Sequence, residues 1–194
     1  ERLKKQMEFL LEVDKLKFIN RQTYLSDGKR KENDGEHSWH LALMAVLLSE
    51  YSNEEIDLVK VITMVLIHDI VEIDAGDTYA YDAVGNQSKR EREVKAADRI
   101  FNILPEDQAE KLRRLWEEFE AYESPEAKFA HVCDNVQPLM LNDATDGLAW
   151  REHEVKKSQV LQRNRRTGEG SQVMMEYINQ ILDKNVESGN LRDE

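Results

Sequence analysis

Only eight glycines and three prolines are spread through 194 residues, too few for the dense turns of a β-sandwich or barrel. Apolar residues recur instead at three-to-four spacing, the period of an amphipathic helix. Leu3, Met7, Leu10, Leu11, Val13, Leu16 and Phe18 mark one such helix over residues 3–18. Residues 21–35 read as a polar loop with a basic patch at Lys29, Arg30 and Lys31. A second helix, over residues 36–51, carries a wide apolar face. Ser52-Asn53-Glu54-Glu55 reads as a cap with acids in the first turn, opening a long apolar helix to about Asp74 that Gly76 ends. Residues 77–88 read as irregular, with a turn at Gly85-Asn86. Ser88 is positioned to cap a charged helix to Leu104, and Pro105 starts another to Tyr122.

Ser124-Pro125-Glu126 places a cap and a first-turn proline before a helix carrying Phe129, Val132, Val136, Leu139, Met140 and Leu141. Pro138 within it predicts a kink, or a break just before it, and Gly147 closes the segment. A helix over residues 152–164, a Gly-Glu-Gly loop, a helix over residues 171–186 and a frayed tail at 187–194 follow. There is no internal repeat, no low-complexity tract and no long strand alternation. The expectation is an all-α fold: one domain over 1–194, a bundle of seven to nine helices with its core at about 21–160. Trp39, Trp116 and Trp150 are expected to pack the core or a dimer interface.

Charge narrows the function classes. Acidic residues number 39 against 27 basic ones, a net charge of −12, which opposes broad contact with a phosphate backbone and argues against a long nucleic-acid partner. A small anionic substrate stays open, because one metal ion or one Arg reverses the potential locally. The longest apolar run, residues 61–67, contains Thr63 and ends at His68, so no membrane span is expected. The opening Glu1-Arg2-Leu3-Lys4-Lys5-Gln6 has no signal-peptide core, and the single Cys133 suits a reducing cytosol. A cytoplasmic location is expected.

The chemistry gathers in residues 61–73, a near-continuous apolar helix interrupted by His68, Asp69 and Glu72. Ionised carboxylates in apolar surroundings are expensive unless paired or bound to a cation. Helical spacing puts Glu72 one turn beyond the other two, so all three can face one pocket. Imidazole plus carboxylate is a normal ligand set for Zn, Mn, Fe or Co. A hydrogen-bonded core His68 with two solvent-facing acids weighs about equally on this evidence. His37 and His40, one turn apart in Glu36-His37-Ser38-Trp39-His40, could reach one ion, with either of them equally suited to packing. Asp134, in His131-Val132-Cys133-Asp134, is odd in a plain core and sensible as a ligand from another helix. Cys133 reads as a small buried hydrophobe and His153 as a surface residue. No H-E-x-x-H, Glu-x-x-His, phosphate-loop or G-x-S-x-G motif is present. Metal-assisted hydrolysis is the chemistry that survives.

The order His37, His68-Asp69, Asp134 on a helical frame resembles the HD-domain metal-dependent phosphohydrolases. The extended match adds the stretch from His68-Asp69 through Glu72 to Gly76-Asp77, Leu115-Trp116-Glu117-Glu118-Phe119-Glu120, and Ala127-Lys128-Phe129. It covers about residues 21–159 and is similar to the 5′-deoxynucleotidase branch. The resemblance implies His37, His68, Asp69 and Asp134 as ligands of one divalent ion (Mn, Co, Mg, Zn, Ni or Fe). It implies Glu72 and Asp69 in catalysis, Arg21 on the substrate phosphate, Asp77 with Thr78 at the sugar, and a second cation near Glu72 and Asp77. Val132-Cys133-Asp134-Asn135-Val136 departs from the branch's usual Leu-Asp-Arg/Lys-Leu pattern. The expected activity is release of phosphate from small nucleotides, foremost deoxyribonucleoside 5′-monophosphates, by a homodimer. The alternatives are hydrolysis of a nucleoside triphosphate or alarmone, with Lys29, Arg30 and Lys31 supplying cations, or a non-catalytic metal- and nucleotide-binding sensor.

Overall fold

The computed structural model describes residues 1–78, 81 and 88–194; the turn expected at Gly85-Asn86 lies outside them. The described residues are mainly helical. Nine α-helices have five residues or more: α1 (Arg2–Val13), α2 (Asp34–Leu48), α3 (Leu58–Ile67), α5 (Lys89–Phe101), α6 (Glu106–Ala121), α7 (Pro125–Ala144), α8 (Leu148–Glu152), α9 (Lys157–Asn164) and α11 (Gln172–Glu187). Single helical turns, α4 (Glu72–Ala75) and α10 (Thr167–Gly170), complete the series. Helix α7 packs against α2, α3, α6, α10 and α11. Its apolar face joins those of α2, α3 and α11 in one core, around Leu41, Met64, Phe129 and Ile178. A second cluster, around Ile100, Phe101 and Trp116, joins α5 and α6 to the residues after α3.

Several local expectations are corrected. The loop at 21–35 is largely an antiparallel hairpin, β1 (Asn20–Tyr24) with β2 (Lys31–Asn33), irregular between its two paired positions. Its turn needs Gly28, whose φ of 68° suits glycine. The strands are short and polar, so they lack the alternation that announces a half-buried strand. The third helix is capped by Asp57, whose side chain accepts from Lys60 N, rather than by Ser52. It does not run unbroken to Asp74. From Ile67 the ladder tightens, with Ile70 N donating to Ile67 O and Glu72 N to Asp69 O, three-residue steps of the 3₁₀ kind.

Pro138 does not break α7, which continues to Ala144; the buried residues on both sides of it outweigh one lost backbone bond. Gly147, at φ 69°, precedes α8, a short helix the sequence did not announce, and the helix expected over 152–164 begins only at Lys157, as α9. Ser88 sits at the start of α5 without a side-chain capping bond. The Gly-Glu-Gly loop is α10. The tail is docked rather than frayed: Leu191 is 3% exposed, and Lys157 N donates to the Arg192 carbonyl at 2.8 Å. Trp116 and Trp150 are buried, whereas Trp39 is 64% exposed.

Candidate metal centre

Four elements converge on one point. Asn33 and Glu36 form a reciprocal capping box that starts α2 just ahead of His37. His68 and Asp69 sit on the tightened turn after α3, Asp134 on α7, and Arg21 on β1. His37 Nε2 lies 3.0 Å from Asp134 Oδ1 and 3.9 Å from Asp69 Oδ2. His68 Nε2 lies 3.2 Å from Asp69 Oδ2 and 3.7 Å from Asp134 Oδ1. Potential ligand atoms of His37, His68 and Asp69 fall within 4.8 Å of one another.

The other ring nitrogens fix the tautomers. His68 Nδ1 faces the Val65 carbonyl at 2.8 Å and must donate to it. Gln137 donates through Nε2 to Glu32 Oε2 at 2.8 Å, so its Oε1, 3.0 Å from His37 Nδ1, is the acceptor there. In each neutral ring the Nε2 lone pair then points at carboxylate oxygen, an unfavourable contact unless a cation stands between them. His68 Nε2 is buried with no hydrogen-bond partner. Histidines that give one N–H to a backbone carbonyl or side chain and offer the other nitrogen inward are what a metal site requires. The donor set therefore fits a divalent ion.

Titration reflects the same crowding. Burial lowers the His68 imidazole, but Asp69 and Asp134 outweigh it and push its pKa up to about 10. Despite burial and the Arg21 charge, Asp134 and Glu32 hold His37 above its ordinary value. Asp69 resists burial and stays low because His68 and Arg21 face it. Burial, then Asp69, raises Asp34 to about 7. Burial, then Asp69 and Asp34, raises Glu72 well above the carboxylate range.

The sign of the pH effect follows. In metal-free protein, the His68 contribution is complete below pH 6.5 and lost as pH rises to about 10. Asp34 adds a loss in the same direction between 3.8 and about 7. Asp69 acts oppositely, below 3.8. The Tm of EDTA-treated protein is expected to fall from pH 6.5 towards pH 10, and that of metal-loaded protein to fall less. Scanning calorimetry across that range checks it; a flat metal-free profile contradicts it.

A cavity opens beside this cluster. Arg21, Asp69, Glu72, Asp77, Thr78 and Asp134 all line it. Arg21 Nη1 donates to Asp69 Oδ2 at 2.8 Å, lies 3.3 Å from Asp34 Oδ1, and its Nε is 3.5 Å from Glu32 Oε1. Thr78 Oγ1 accepts from Arg92 Nη2 at 2.8 Å. A further acidic group whose oxygens lie within 4.8 Å comprises Asp34, Asp69 and Glu72; Asp34, not Asp77, is the carboxylate gathered with Glu72 there.

Other candidates do not join the centre. His40 sits behind Gln137, its Nδ1 3.3 Å from Gln137 Nε2. His131 is stacked between Phe119 and Tyr122 at 3.9 and 4.0 Å, and burial lowers its pKa to about 4. Cys133 is buried, with its thiol pushed up to about 12. The basic loop turns away: Arg30 pairs with Glu36 and Lys31 with Gln22. The cations lining the cavity besides Arg21 are Lys89 and Arg163.

Glu32, Asp34 and Gln137 have no signal in the sequence reading, because each is an ordinary polar residue until the fold buries it. Gln137→Leu is expected to lower metal affinity by about 10–100-fold, since His37 then loses the acceptor that orients it. Competition against a chelator measures this; unchanged affinity contradicts it.

Residues 13–175 match the HD domain. Human 5′-deoxynucleotidase HDDC2 is 30% identical over 135 residues, 69% of this chain and 65% of the human protein. The chain thus spans somewhat less than two thirds of the length of that relative. A crystal structure described as a predicted metal-dependent phosphohydrolase, from Magnetospirillum magnetotacticum MS-1, is 48% identical, with a TM-score of 0.95 and 98% of this chain and 96% of the other covered. A conserved hypothetical protein from Pyrococcus furiosus, 20% identical with a TM-score of 0.63 over 93% of this chain and 99% of the other, shares the fold. Helical frame, family match and the gathering of two histidines and two aspartates agree, and the chain belongs to the HD-domain family.

Proposed function

We propose that this protein is a divalent-metal-dependent phosphomonoesterase acting on deoxyribonucleoside 5′-monophosphates. The observation that carries the reading is the meeting of His37, His68, Asp69 and Asp134, with Nε2 of both rings turned inward, beside a cavity lined by Arg21 and Glu72. Those four residues would hold the ion, one of Mn, Co, Mg, Zn, Ni or Fe. Such an ion lowers the pKa of bound water and polarises a phosphoryl oxygen. Arg21 grips phosphate oxygens through its fork of N–H donors. Its contact with Asp69 sets the guanidinium against the residues that would hold the ion, where an anion is otherwise repelled by the acids. Glu72, whose carboxyl is pushed well above the usual range by burial, donates to the departing sugar oxygen. Asp77 and Thr78 lie at the sugar, where the Asp77 carboxylate disfavours a 2′-hydroxyl. A second cation near Glu72 belongs to the same reading, with Asp34 in the place expected of Asp77; the gathering of Asp34, Asp69 and Glu72 and the buried oxygens of Asp34 and Glu72 without partners support it.

The named relatives support the substrate class. No helix of the described residues is long and apolar enough to cross a membrane, which accords with work on small cytoplasmic nucleotides. A homodimer is part of the reading: Trp39, Leu43 and Leu47 form an exposed apolar stripe on α2, and sedimentation tests it. Lys89 and Arg163 at the cavity favour a nucleoside triphosphate as the second reading.

Phosphate release from dAMP, AMP and dATP, with Mn²⁺ or Co²⁺ and with EDTA, tests the whole. Metal-dependent release from dAMP, exceeding that from AMP, is expected. Equal rates on dAMP and AMP remove the role given to Asp77, and release from dATP alone establishes the second reading. No release from any substrate leaves a binding module.

A further inference from the structure

The candidate metal centre is reached from a second side. A cavity of about 240 Å³ meets His68, Asp69 and Asp134 from between α5, α6 and α7. It shares Asp69, Asp134, Lys89 and Arg163 with the cavity described above, but Arg21, Glu72 and Asp77 do not line it. Helix α7 shows how the two are set. Pro138 and Asn142, one and two turns after Asp134, line the first cavity, whereas His131, a turn before it, lines the second. The two cavities therefore run from Asp134 in opposite directions along the helix, with the aspartates between them.

The second cavity carries two acids that the proposed chemistry leaves unused. Glu93 of α5 is 5% exposed, with Lys89 Nζ 3.4 Å from its Oε1. Glu120 of α6 is nearer solvent, its side chain 27% exposed, and accepts from Arg90 Nη1 at 3.2 Å. Burial, partly offset by Lys89, holds Glu93 above the ordinary carboxylate value, and Asp69 across the cavity adds to the rise. Burial and then the Glu93 charge do the same for Glu120, against Lys89, Arg90 and His68. Each therefore takes up a proton more readily than a solvated carboxylate. The same acids make this side a poor entrance for a nucleotide and a poor exit for phosphate, because like charges repel. Water and protons are what such a lining admits, and the volume has room for several waters.

We propose that this second cavity is a passage for water and protons, which brings the attacking water to the aspartates from the side away from the nucleoside and carries its proton out through Glu93 and Glu120. The inference rests on the phosphomonoesterase reading, in which Glu72 serves the sugar oxygen from the first cavity. In-line displacement sets the attacking and leaving oxygens on opposite sides of phosphorus, and two cavities that meet at one pair of aspartates provide both sides. The step balances. The water oxygen bonds to phosphorus as the bond from phosphorus to the sugar oxygen breaks, and the electron pair of that bond leaves with the sugar oxygen. One water proton goes to Glu93, the other stays on the phosphate, and the sugar oxygen takes the proton of Glu72. Glu93 then passes its proton to Glu120 and solvent, and Glu72 regains one from solvent.

The test uses the metal-loaded protein with dAMP. Glu93→Gln is expected to lower kcat by about 10²-fold, the lower end of what proton transfer contributes, with KM, metal content and melting temperature matching the parent protein. The loss is expected to be as large on an aryl phosphate, because the passage serves the water and not the leaving oxygen, and this separates Glu93 from Glu72. Formate, a small carboxylate, is expected to restore rate to Glu93→Ala while leaving the parent unchanged. An unaltered kcat in Glu93→Gln, a loss of metal in proportion to rate, or a Glu93→Ala rate that formate does not raise overturns the passage. If both Glu93 variants fail to fold, Glu120→Gln at the rim decides. A lowered kcat with a larger solvent deuterium isotope effect is expected there, and parent values of both overturn the route. Release by the parent with indifferent variants sinks the passage alone, whereas no release from any nucleotide by the parent sinks the phosphatase reading beneath it.

Discussion

Asp69→Asn protein is expected to lose phosphate release by about 10³-fold or more, because a bound metal contributes several kcal/mol of transition-state stabilisation. It is also expected to be purified without its ion. Asp69 occupies the most heavily used position in the site: Oδ2 accepts from Arg21 and lies 3.2 Å from His68 Nε2 and 3.9 Å from His37 Nε2. The asparagine amide is nearly isosteric, so packing is kept while the anionic charge is lost. An amide nitrogen turned towards Arg21 or the imidazoles would add repulsion. Metal content by plasma mass spectrometry, phosphate release and a melting curve separate the effects. A folded variant that retains both stoichiometric metal and turnover would falsify the assignment.

Glu72→Gln is expected to behave differently, with kcat falling by about 10²–10⁴-fold, the usual worth of a general acid, and metal content unchanged. The carboxyl is buried and faces Asp69 and Asp34, so it holds its proton well above the usual range. A dication held nearby would favour its ionised form and so lower it again. Glutamine keeps the shape and offers N–H but cannot transfer a proton. The alkaline limb of the kcat–pH profile, where a general acid loses its proton, is expected to flatten in the variant, and substrates with better leaving groups, which need less protonation, are expected to lose less rate. An aryl phosphate that loses as much rate as dAMP in the variant would argue that Glu72 acts otherwise.

What could be read in the sequence depended on contrast with the surroundings. His68, Asp69 and Glu72 stand out because an apolar segment surrounds them, and the fold sets His68 against Asp69 while Asp69 and Glu72 line one cavity. The same apolar run also misled, since nothing in it marks the tightened turn that interrupts the helix. Asp57 and Ser52 are equally good caps in isolation, and only packing chooses between them. Glu32 and Asp34 follow three basic residues and look like solvated loop, yet Asp34 is fully buried and Glu32 nearly so. Gln137 carries no charge and sits in an ordinary helical context, and its importance comes from its bonds to Glu32 and His37, which only the fold supplies.

The segment after α11 has a reach that its position does not advertise. By hydrogen-bonding Arg192 to the first turn of α9 and burying Leu191, it braces the near end of a helix whose far end presents Arg163 and Asn164 to the cavity. Shortening the chain by five residues would unfasten that brace some 10 Å from Asn164, a distance set by seven residues of helical rise. The damage would register first at the Arg163 wall of the cavity, with His37, His68, Asp69 and Asp134 untouched.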